Sequence, residues 1–274
     1  MTEKKSVALV TGASSGIGKA IAERLLADGM VVYGASRRVE MMADLKSLGA
    51  IILEMDITKE EDVARVIDQI LSEHGGVDVL VNNAGFGNFG AVEDTPMEDA
   101  KYQFEVNLFG LARMTKAVLP HMRAKARGKI VNISSMAGKM YMPLGAWYHG
   151  SKHALEGWSD CLRMETAPFG IQVIIIEPGV IETEFDDSMI GPMMKRSGNT
   201  AYGGIAEKIK VASTEAYKEG NGSPASAVAR TVSKAIRSRR PKTRYVVGKM
   251  ARPMMFARKW LGDRTYDAIV WWWI

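Results

Sequence analysis

The sequence predicts a doubly wound α/β fold, a parallel sheet covered by helices on both faces. Three observations predict it. Short runs rich in valine and isoleucine alternate with longer stretches of helical apolar spacing, the pattern of strands buried on both sides. The first run breaks into Gly12-Ala-Ser-Ser-Gly-Ile-Gly18, a glycine turn leading from a strand to the exposed amides of a helix N-terminus. Later runs end in small, amide or hydroxyl residues, as in Asn82-Asn-Ala-Gly85, Ser134-Ser135 and Pro178-Gly179. Ligand crevices in such sheets form at the carboxyl ends of the strands.

Each element follows in turn. Ser6–Thr11 reads as a buried strand, and Lys19–Asp28 as a helix with Ile21, Ala22, Leu25 and Leu26 on its apolar face. Val31–Ser36 is the second strand. A carboxylate at its end would suit the ribose hydroxyl of NAD; Ser36-Arg37-Arg38 stands there instead, and guanidiniums suit the 2′-phosphate of NADP. Ile51–Met55 is a third strand, ending at Asp56-Ile57, where a carboxylate meets an adenine amino group. Lys59–Glu73 follows as an amphipathic helix with Val63, Val66, Ile67 and Ile70 on one face. Val77–Val81 is the fourth strand. Ala100–Met122 is a long helix with Asn107 inside it, a poor interior residue because its amide competes with the backbone. Lys129–Ile133 is the fifth strand. A helix then carries Tyr148 and Lys152 and runs to Thr166, and Ile171–Glu177 is the sixth strand.

From Glu182 to Gly222 the alternation lapses, and a long insertion after a strand suits a substrate lid over 184–222. Ser223 reads as a helix N-cap with Pro224 at the first helical position. The helix continues to Ser238, and Tyr245–Val247 is the last strand. No repeat or linker interrupts the pattern. Residues 1–274 are therefore expected to form a single Rossmann-type dinucleotide-binding domain, with a tail over 252–274.

Composition narrows the function classes. Hydrophobic residues make up 47% and charged residues 24% of 274, the profile of a globular protein. A single cysteine, Cys161, forbids an intramolecular disulfide; with no signal peptide at the chain's opening, a cytoplasmic location is expected. No apolar run reaches the roughly 18 to 20 residues that span a bilayer. The net charge of +5 gathers partly in Arg237-Ser-Arg-Arg-Pro-Lys-Thr-Arg244, which reads as a solvated turn rather than a nucleic-acid surface, since no nucleic-acid motif accompanies it. The histidines (His74, His121, His149 and His153) lack metal-ligand spacing, and His149 and His153 read as helix-surface residues. No metal is expected.

Chemistry concentrates at Tyr148 and Lys152. Four residues apart on a helix, they share one face. An ammonium close to a phenol favours the phenolate, so Lys152 is expected to lower the Tyr148 pKa and make an acid/base pair.

These landmarks occur together and in order: Thr11-Gly-Ala-Ser-Ser-Gly-Ile-Gly18, Asn82-Asn-Ala-Gly85, Ser135, Tyr148-His-Gly-Ser-Lys152 and Pro178-Gly-Val-Ile-Glu-Thr183. Over roughly residues 5 to 250 the chain resembles the short-chain dehydrogenase/reductase superfamily. Asn83-Ala-Gly-Phe-Gly87 and Lys152-His-Ala-Leu-Glu-Gly157 are most similar to its retinol and hydroxysteroid dehydrogenase branch. The resemblance implies Asn107, Ser135, Tyr148 and Lys152 as the catalytic set. Tyr148 would be the acid/base, Lys152 would also hold the nicotinamide ribose, and Ser135 would bond the substrate oxygen. Asn107 would hold a water linking Lys152 to solvent through a local helix distortion. It implies Gly12, Gly16, Ile17 and Gly18 along the pyrophosphate, with Ser14 and Ser15 in the same site. Asn83, Ala84 and Gly85 would pack near the adenosine, with Ser36, Arg37, Asp56 and Ile57 beyond. Pro178, Gly179 and Thr183 would complete the nicotinamide end.

The expected activity is NADP(H)-dependent hydride transfer to or from a secondary alcohol or ketone. Reduction of a 3-oxoacyl thioester is the alternative, and a non-catalytic dinucleotide-binding protein a more distant one. Phe86, Phe89, Met136, Met140, Tyr141, Met142, Leu144, Trp147, Met189, Ile190, Met193 and Met194 lie in segments that frame the cleft. Such a lining suits a lipophilic, hydroxysteroid- or retinoid-like molecule. Leu155, Trp158, Cys161 and Leu162 form an apolar stripe, and the family commonly pairs that helix with the Asn107 helix, implying a homodimer or homotetramer. After Asp263, read as an N-cap, Tyr266, Ile269, Val270 and Trp273 recur at helical spacing. That stripe suits, in order, a cover for the substrate mouth, a contact with another subunit, or a peripheral contact with a membrane surface.

Overall fold

The computed structural model describes residues 5–183, 185–218 and 220–274, with 185–187 as backbone. Residues 1–4 at the chain's opening, and Glu184 and Glu219 within the expected lid, lie outside the described residues.

Seven strands form one sheet: β1 (Val7–Thr11), β2 (Val31–Ser36), β3 (Ile51–Glu54), β4 (Val79–Asn82), β5 (Gly128–Ile133), β6 (Ile171–Pro178) and β9 (Arg244–Val247). Their spatial order is β3-β2-β1-β4-β5-β6-β9, and every pairing is parallel. The order reverses between β1 and β4, which opens a crevice at their carboxyl ends. Alternation within the strands supplies both faces of the core. Val7 and Leu9 pack with Ile70, Met114, Val118 and Leu162. Ala8 and Val10 pack on the opposite side with Ile21, Leu25, Val228 and Val232. The helices are α1 (Gly16–Ala27), α2 (Ala43–Ser47), α3 (Glu60–His74), α4 (Met97–Phe104), α5 (Leu111–Ala124), α6 (Ala146–Thr166) and α9 (Ala225–Arg237). α3, α5 and α6 lie on the first face; α1, α2 and α9 lie on the second.

Residues Glu105–Gly110 join α4 to α5 in a π-helical turn centred near Asn107, so the stretch read as one helix is two helices around a wider turn. α7 (Phe185–Ser197) and α8 (Gly203–Tyr217) fill the region where strand alternation lapses. Two-residue strands β7 (Ile181–Glu182) and β8 (Ser223–Pro224) pair at its base. Ser223 is therefore strand rather than N-cap: its hydroxyl accepts from Lys249 N at 3.1 Å, and α9 begins at Ala225. Beyond β9 come α10 (Ala251–Trp260) and α11 (Asp263–Trp273). Asp263 is likewise not a cap. It opens α11 after Gly262 and pairs with Arg258 at 2.7 Å. Among the described residues no helix is long and apolar enough to cross a membrane.

The basic run before β9 is only partly solvated. Arg244 turns inward, with its guanidinium 2.6 Å from Asp160, 3.1 Å from Glu156 and 3.5 Å from Glu177. Lys139 reaches Glu156 at 3.0 Å. Glu156 and Glu177 are both buried. Burial, and then the neighbouring Glu156, push the Glu177 carboxyl up to about 7 from 4.5, against the pull of Lys139 and Arg244. A raised folded-state pKa stabilises the fold at pH below the unfolded value and loses that contribution as pH rises through the folded one. Glu177→Gln removes the titration. Relative to wild type, its urea stability should shift in the variant's favour by on the order of 2 kcal/mol between about pH 4.5 and 8. A pH-independent difference would show that Glu177 stays ionised throughout.

Candidate active site

The crevice between β1 and β4 is built from backbone and short side chains. Thr11 Oγ1, at the end of β1, accepts from the backbone N–H of Asn83 and of Ala84, each at 3.0 Å. Asn83 Nδ2 returns bonds to Thr11 O at 3.0 Å and Gly12 O at 3.2 Å. The two loops are thus clamped together. Gly12 and Gly16 take positive φ, 66° and 54°, which only glycine adopts without strain. A Cβ at Gly12 would lie 2.9 Å from Ala84 Cα. Gly18 has a different part from the one expected. A Cβ there would meet Gly12 O at 2.3 Å and Asn83 Nδ2 at 2.4 Å, so Gly18 lets the helix close on the clamp and does not line the crevice.

The crevice is a cavity of about 590 Å³ that runs from Arg37 and Arg38 to Tyr148, Lys152 and Thr183. Of the expected cofactor residues it is lined by Gly12, Ser14, Ser15, Gly16, Ile17, Ser36, Arg37, Asp56, Ile57, Asn83, Ala84, Gly85, Tyr148, Lys152 and Thr183. Pro178 and Gly179 line the neighbouring cavity instead. At the far end Arg38 donates to Ser14 Oγ and Ser15 Oγ, both at 3.2 Å, and Arg37 donates to Tyr102 Oη at 3.0 Å. Asp56 Oδ1 accepts from the Thr58 backbone N–H at 3.0 Å and from its hydroxyl at 2.8 Å. Arg38, read from the sequence with Arg37 as one of two guanidiniums suited to a 2′-phosphate, also lines the cavity. Tyr102 had no sequence signal, since a fold contact alone brings α4 to β2. The cavity's length, its glycine-lined wall and its paired guanidiniums fit a phosphate-bearing dinucleotide.

A second cavity of about 130 Å³ opens from the first at Ile17, Ser134, Tyr148 and Thr183. Its lining adds Ser135, Phe89, Met136, Met140, Met142, His149, Met189, Ser213, Tyr217 and Trp273, and among the described residues that line it there is no Lys, Arg, Asp or Glu. The other residues expected there sit elsewhere. Leu144 and Met193 are buried in the adjoining core, Ile190 and Met194 pack against it, and Phe86 lines the larger cavity. Tyr141 packs on Tyr266 of α11, with ring centroids 5.0 Å apart.

Tyr148 and Lys152 are both buried, and the Lys152 ammonium lies 6.0 Å from the Tyr148 ring centroid. Lys152 Nζ donates to Ile133 O at 3.0 Å. Burial dominates both groups. It pushes the Tyr148 phenol up to about 12, with the Ser135 hydrogen bond pulling the other way, and it lowers the Lys152 ammonium to about 8. The tyrosine is therefore raised rather than depressed as expected, because desolvation outweighs the Ser135 hydrogen bond. Asn107 makes no direct bond to Lys152. Its Oδ1 accepts from Phe86 N at 3.1 Å, while Nδ2 donates to Phe86 O at 3.0 Å and to Ser151 Oγ at 3.1 Å.

His149 corrects another expectation. It is buried rather than on the helix surface, with Nδ1 3.1 Å from Ala137 O, and desolvation lowers its pKa to about 4, so the ring is neutral. His153 is exposed, as expected. Among the described residues no group of three His, Cys, Asp or Glu side chains could hold a metal ion.

Fold and cavity together define an oxidoreductase that moves a hydride with a nicotinamide dinucleotide. A family profile described as short chain dehydrogenase matches residues 6–191. The chain belongs to the short-chain dehydrogenase family and acts on the alcohol/ketone couple. It is 36% identical over 260 residues to a 3-ketodihydrosphingosine reductase of Bacteroides thetaiotaomicron, covering 94% of this chain and 93% of the relative. It is 37% identical over 278 residues to an NADPH-dependent 3-dehydrocapnine reductase of Ornithobacterium rhinotracheale, covering 96% and 95%. A short-chain dehydrogenase structure from Streptomyces avermitilis superposes with a TM-score of 0.80 at 35% identity, covering 98% of this chain and 96% of that one.

Gly18→Ala tests the clamp. The new methyl meets a backbone carbonyl that cannot swing aside, so the variant should lose about 1 to 3 kcal/mol of stability and bind dinucleotide more weakly. Thermal melting with and without NADPH reads both effects. Wild-type melting and affinity would show that the loops are not held as described.

Proposed function

We propose that this enzyme interconverts a lipophilic ketone and its secondary alcohol using NADP(H). One observation carries the reading: Tyr148 stands where a long, polar, guanidinium-capped cavity meets a small uncharged one. When bound, the nicotinamide supplies or accepts the hydride at the substrate carbon. The protein's own groups then handle the oxygen. With its pKa near 12, Tyr148 holds its proton at neutral pH and donates it from Oη to the developing alkoxide. Ser135 Oγ, bonded to Tyr148, is the second donor. Lys152, largely protonated at neutral pH, offsets the phenolate charge that remains and positions the ribose. Asn107 is a positioning residue that fixes the Phe86 backbone and, through Ser151, the helix carrying Tyr148.

Arg37, Arg38 and the Ser14 and Ser15 hydroxyls support NADP, since a guanidinium flanked by hydroxyls suits a phosphate monoester. One relative is named as NADPH-dependent, which agrees. Two relatives are named as reductases of a 3-keto or 3-dehydro compound, which supports a ketone as substrate. The uncharged lining favours an apolar molecule over a sugar or a charged carrier. At about 130 Å³ the cavity encloses only the reacting end of a long molecule. α7 and α8 serve as the lid, and exposed Phe109 and Met164 on the Asn107 and Tyr148 helices suit pairing into a dimer or tetramer. The cytoplasm is the proposed location.

Tyr148→Phe keeps the ring and its packing but removes the proton. Ketone reduction should fall by about 10² to 10⁴, with NADPH binding retained; near-normal turnover followed at the reduced-nicotinamide absorbance would refute the assignment. In wild type, alcohol oxidation should climb with pH, because only the phenolate can accept a proton.

Arg37→Ala and Arg38→Ala should each raise the KM for NADPH about ten-fold or more while barely changing that for NADH, in line with the loss of a charge-assisted bond. A wild-type enzyme equally efficient with both cofactors would remove the basis of the NADP reading.

A further inference from the structure

The apolar stripe recognised in the tail is only one of two. Tyr266 and Val270 on α11, and Met254 and Ala257 on α10, face inward and pack on Met140. Tyr266 Oη donates to Tyr141 O at 3.0 Å, and Tyr141 Oη to Asp267 at 2.8 Å. Trp273 lines the small cavity. The inner face is thus fully used. The outer faces carry a second set at helical spacing: Arg252, Phe256, Lys259 and Trp260 on α10, and Arg264, Ala268, Trp271 and Trp272 on α11. Trp272 is 86% exposed, Trp260 64%, Phe256 61% and Trp271 47%. Leu261, between the helices, is exposed as well.

We propose that the outer face of the α10–α11 hairpin docks on an anionic membrane surface and brings the mouth of the small cavity to the lipid boundary. Exposed tryptophans beside cations match the headgroup region, which accepts an indole's apolar body and its polar edge together. Arg252, Lys259 and Arg264 are exposed on this face, and the Lys259 ammonium lies 4.8 Å from the Trp260 ring centroid. Of the nearby carboxylates, Asp263 is paired with Arg258, and Asp267, which accepts from Tyr141, keeps its single negative charge against the three cations Arg252, Lys259 and Arg264, so the face still carries net positive charge. That charge also selects the occupant. Two copies packed face to face about a two-fold axis would bring like cations together, whereas anionic lipid complements them. At 10 and 11 residues the helices lie on a surface and do not enter the bilayer core. The cavity's place beside Trp273 then has a use: a long apolar substrate reaches it without crossing water. That last step rests on the lipophilic-substrate reading; the docking itself does not.

The test uses the full chain and vesicles of phosphatidylcholine with or without phosphatidylserine, read by co-sedimentation and by the tryptophan emission shift. Wild type should pellet with the phosphatidylserine vesicles, with a blue shift, and should release as salt rises. The double variant Trp271→Ala, Trp272→Ala should lose at least about ten-fold in partition. Lys259→Glu with Arg264→Glu should lose more than about ten-fold, since each basic residue near such a surface is worth about five-fold. Both variants should melt as wild type does and reduce a small water-soluble ketone at the wild-type rate. Failure of wild type to bind anionic vesicles, or binding unchanged in both variants, overturns the proposal. So does sedimentation equilibrium in which the tryptophan variant falls from oligomer to monomer, which would make the patch a subunit interface. Vesicle binding without activity on any lipophilic ketone would instead uphold the docking and remove the substrate reading.

Discussion

The site depends on one clamp, the exchange of hydrogen bonds between the ends of β1 and β4. Those strands lie side by side where the sheet order reverses, so their carboxyl ends diverge and leave backbone groups with no sheet partner. Thr11 and Asn83 answer that need with a hydroxyl that accepts twice and an amide that donates twice. Once the loops are joined, the first glycine must take a left-handed conformation and Gly18 must lack a side chain. A similar economy supports the other end of the crevice. Asn82 Nδ2 donates to Asn132 Oδ1 at 2.9 Å and to Thr115 Oγ1 at 3.2 Å, and Asn132 donates to Ser159 at 2.9 Å. This buried chain ties β4, β5, α5 and α6 together, so the helix bearing Tyr148 is held by polar bonds as well as by apolar packing.

Burial decides the electrostatics at the reacting centre. Desolvation is the largest influence on both Tyr148 and Lys152, and neither the Ser135 hydrogen bond on the one nor the Glu156 carboxylate on the other offsets it. The phenol therefore rises and the ammonium falls, each toward its neutral form. Glu177 follows the same rule a short distance behind the site, and His149 does so beside it. The groups in this half of the molecule are thus poised by exclusion of water more than by pairing.

The strands and the main site motifs are legible in the sequence because their causes are local. A strand buried on both faces must be apolar throughout, and a crevice must be lined by glycine and small residues wherever backbone approaches ligand. The misreadings have long-range causes. His149 looks like a surface residue on α6 because helical spacing does not show that Phe89, from the loop after β4, packs against it. Ser223 has the composition of a cap, yet pairing with β7 claims its backbone. Arg244 reads as solvated until α6 and β6 supply three carboxylates around it. The direction of the tyrosine's shift depended on burial depth, which spacing along a helix does not encode.

The π-helical turn at Glu105–Gly110 has a geometric consequence for the whole α4–α5 segment. A turn that takes in an extra residue advances everything after it by roughly 100° in helical phase. Gln103, on α4, therefore faces the Phe86–Asn88 loop, donating to Phe86 O at 2.7 Å and accepting from Asn88 N at 2.6 Å, while Met114 and Val118 on α5 face the sheet. A straight α-helix through the same residues could not serve both partners. The segment behaves as a cam, with two working faces set at a fixed offset by a single inserted position. Length, rather than side-chain identity, is then the property of 105–110 that the fold can least afford to change.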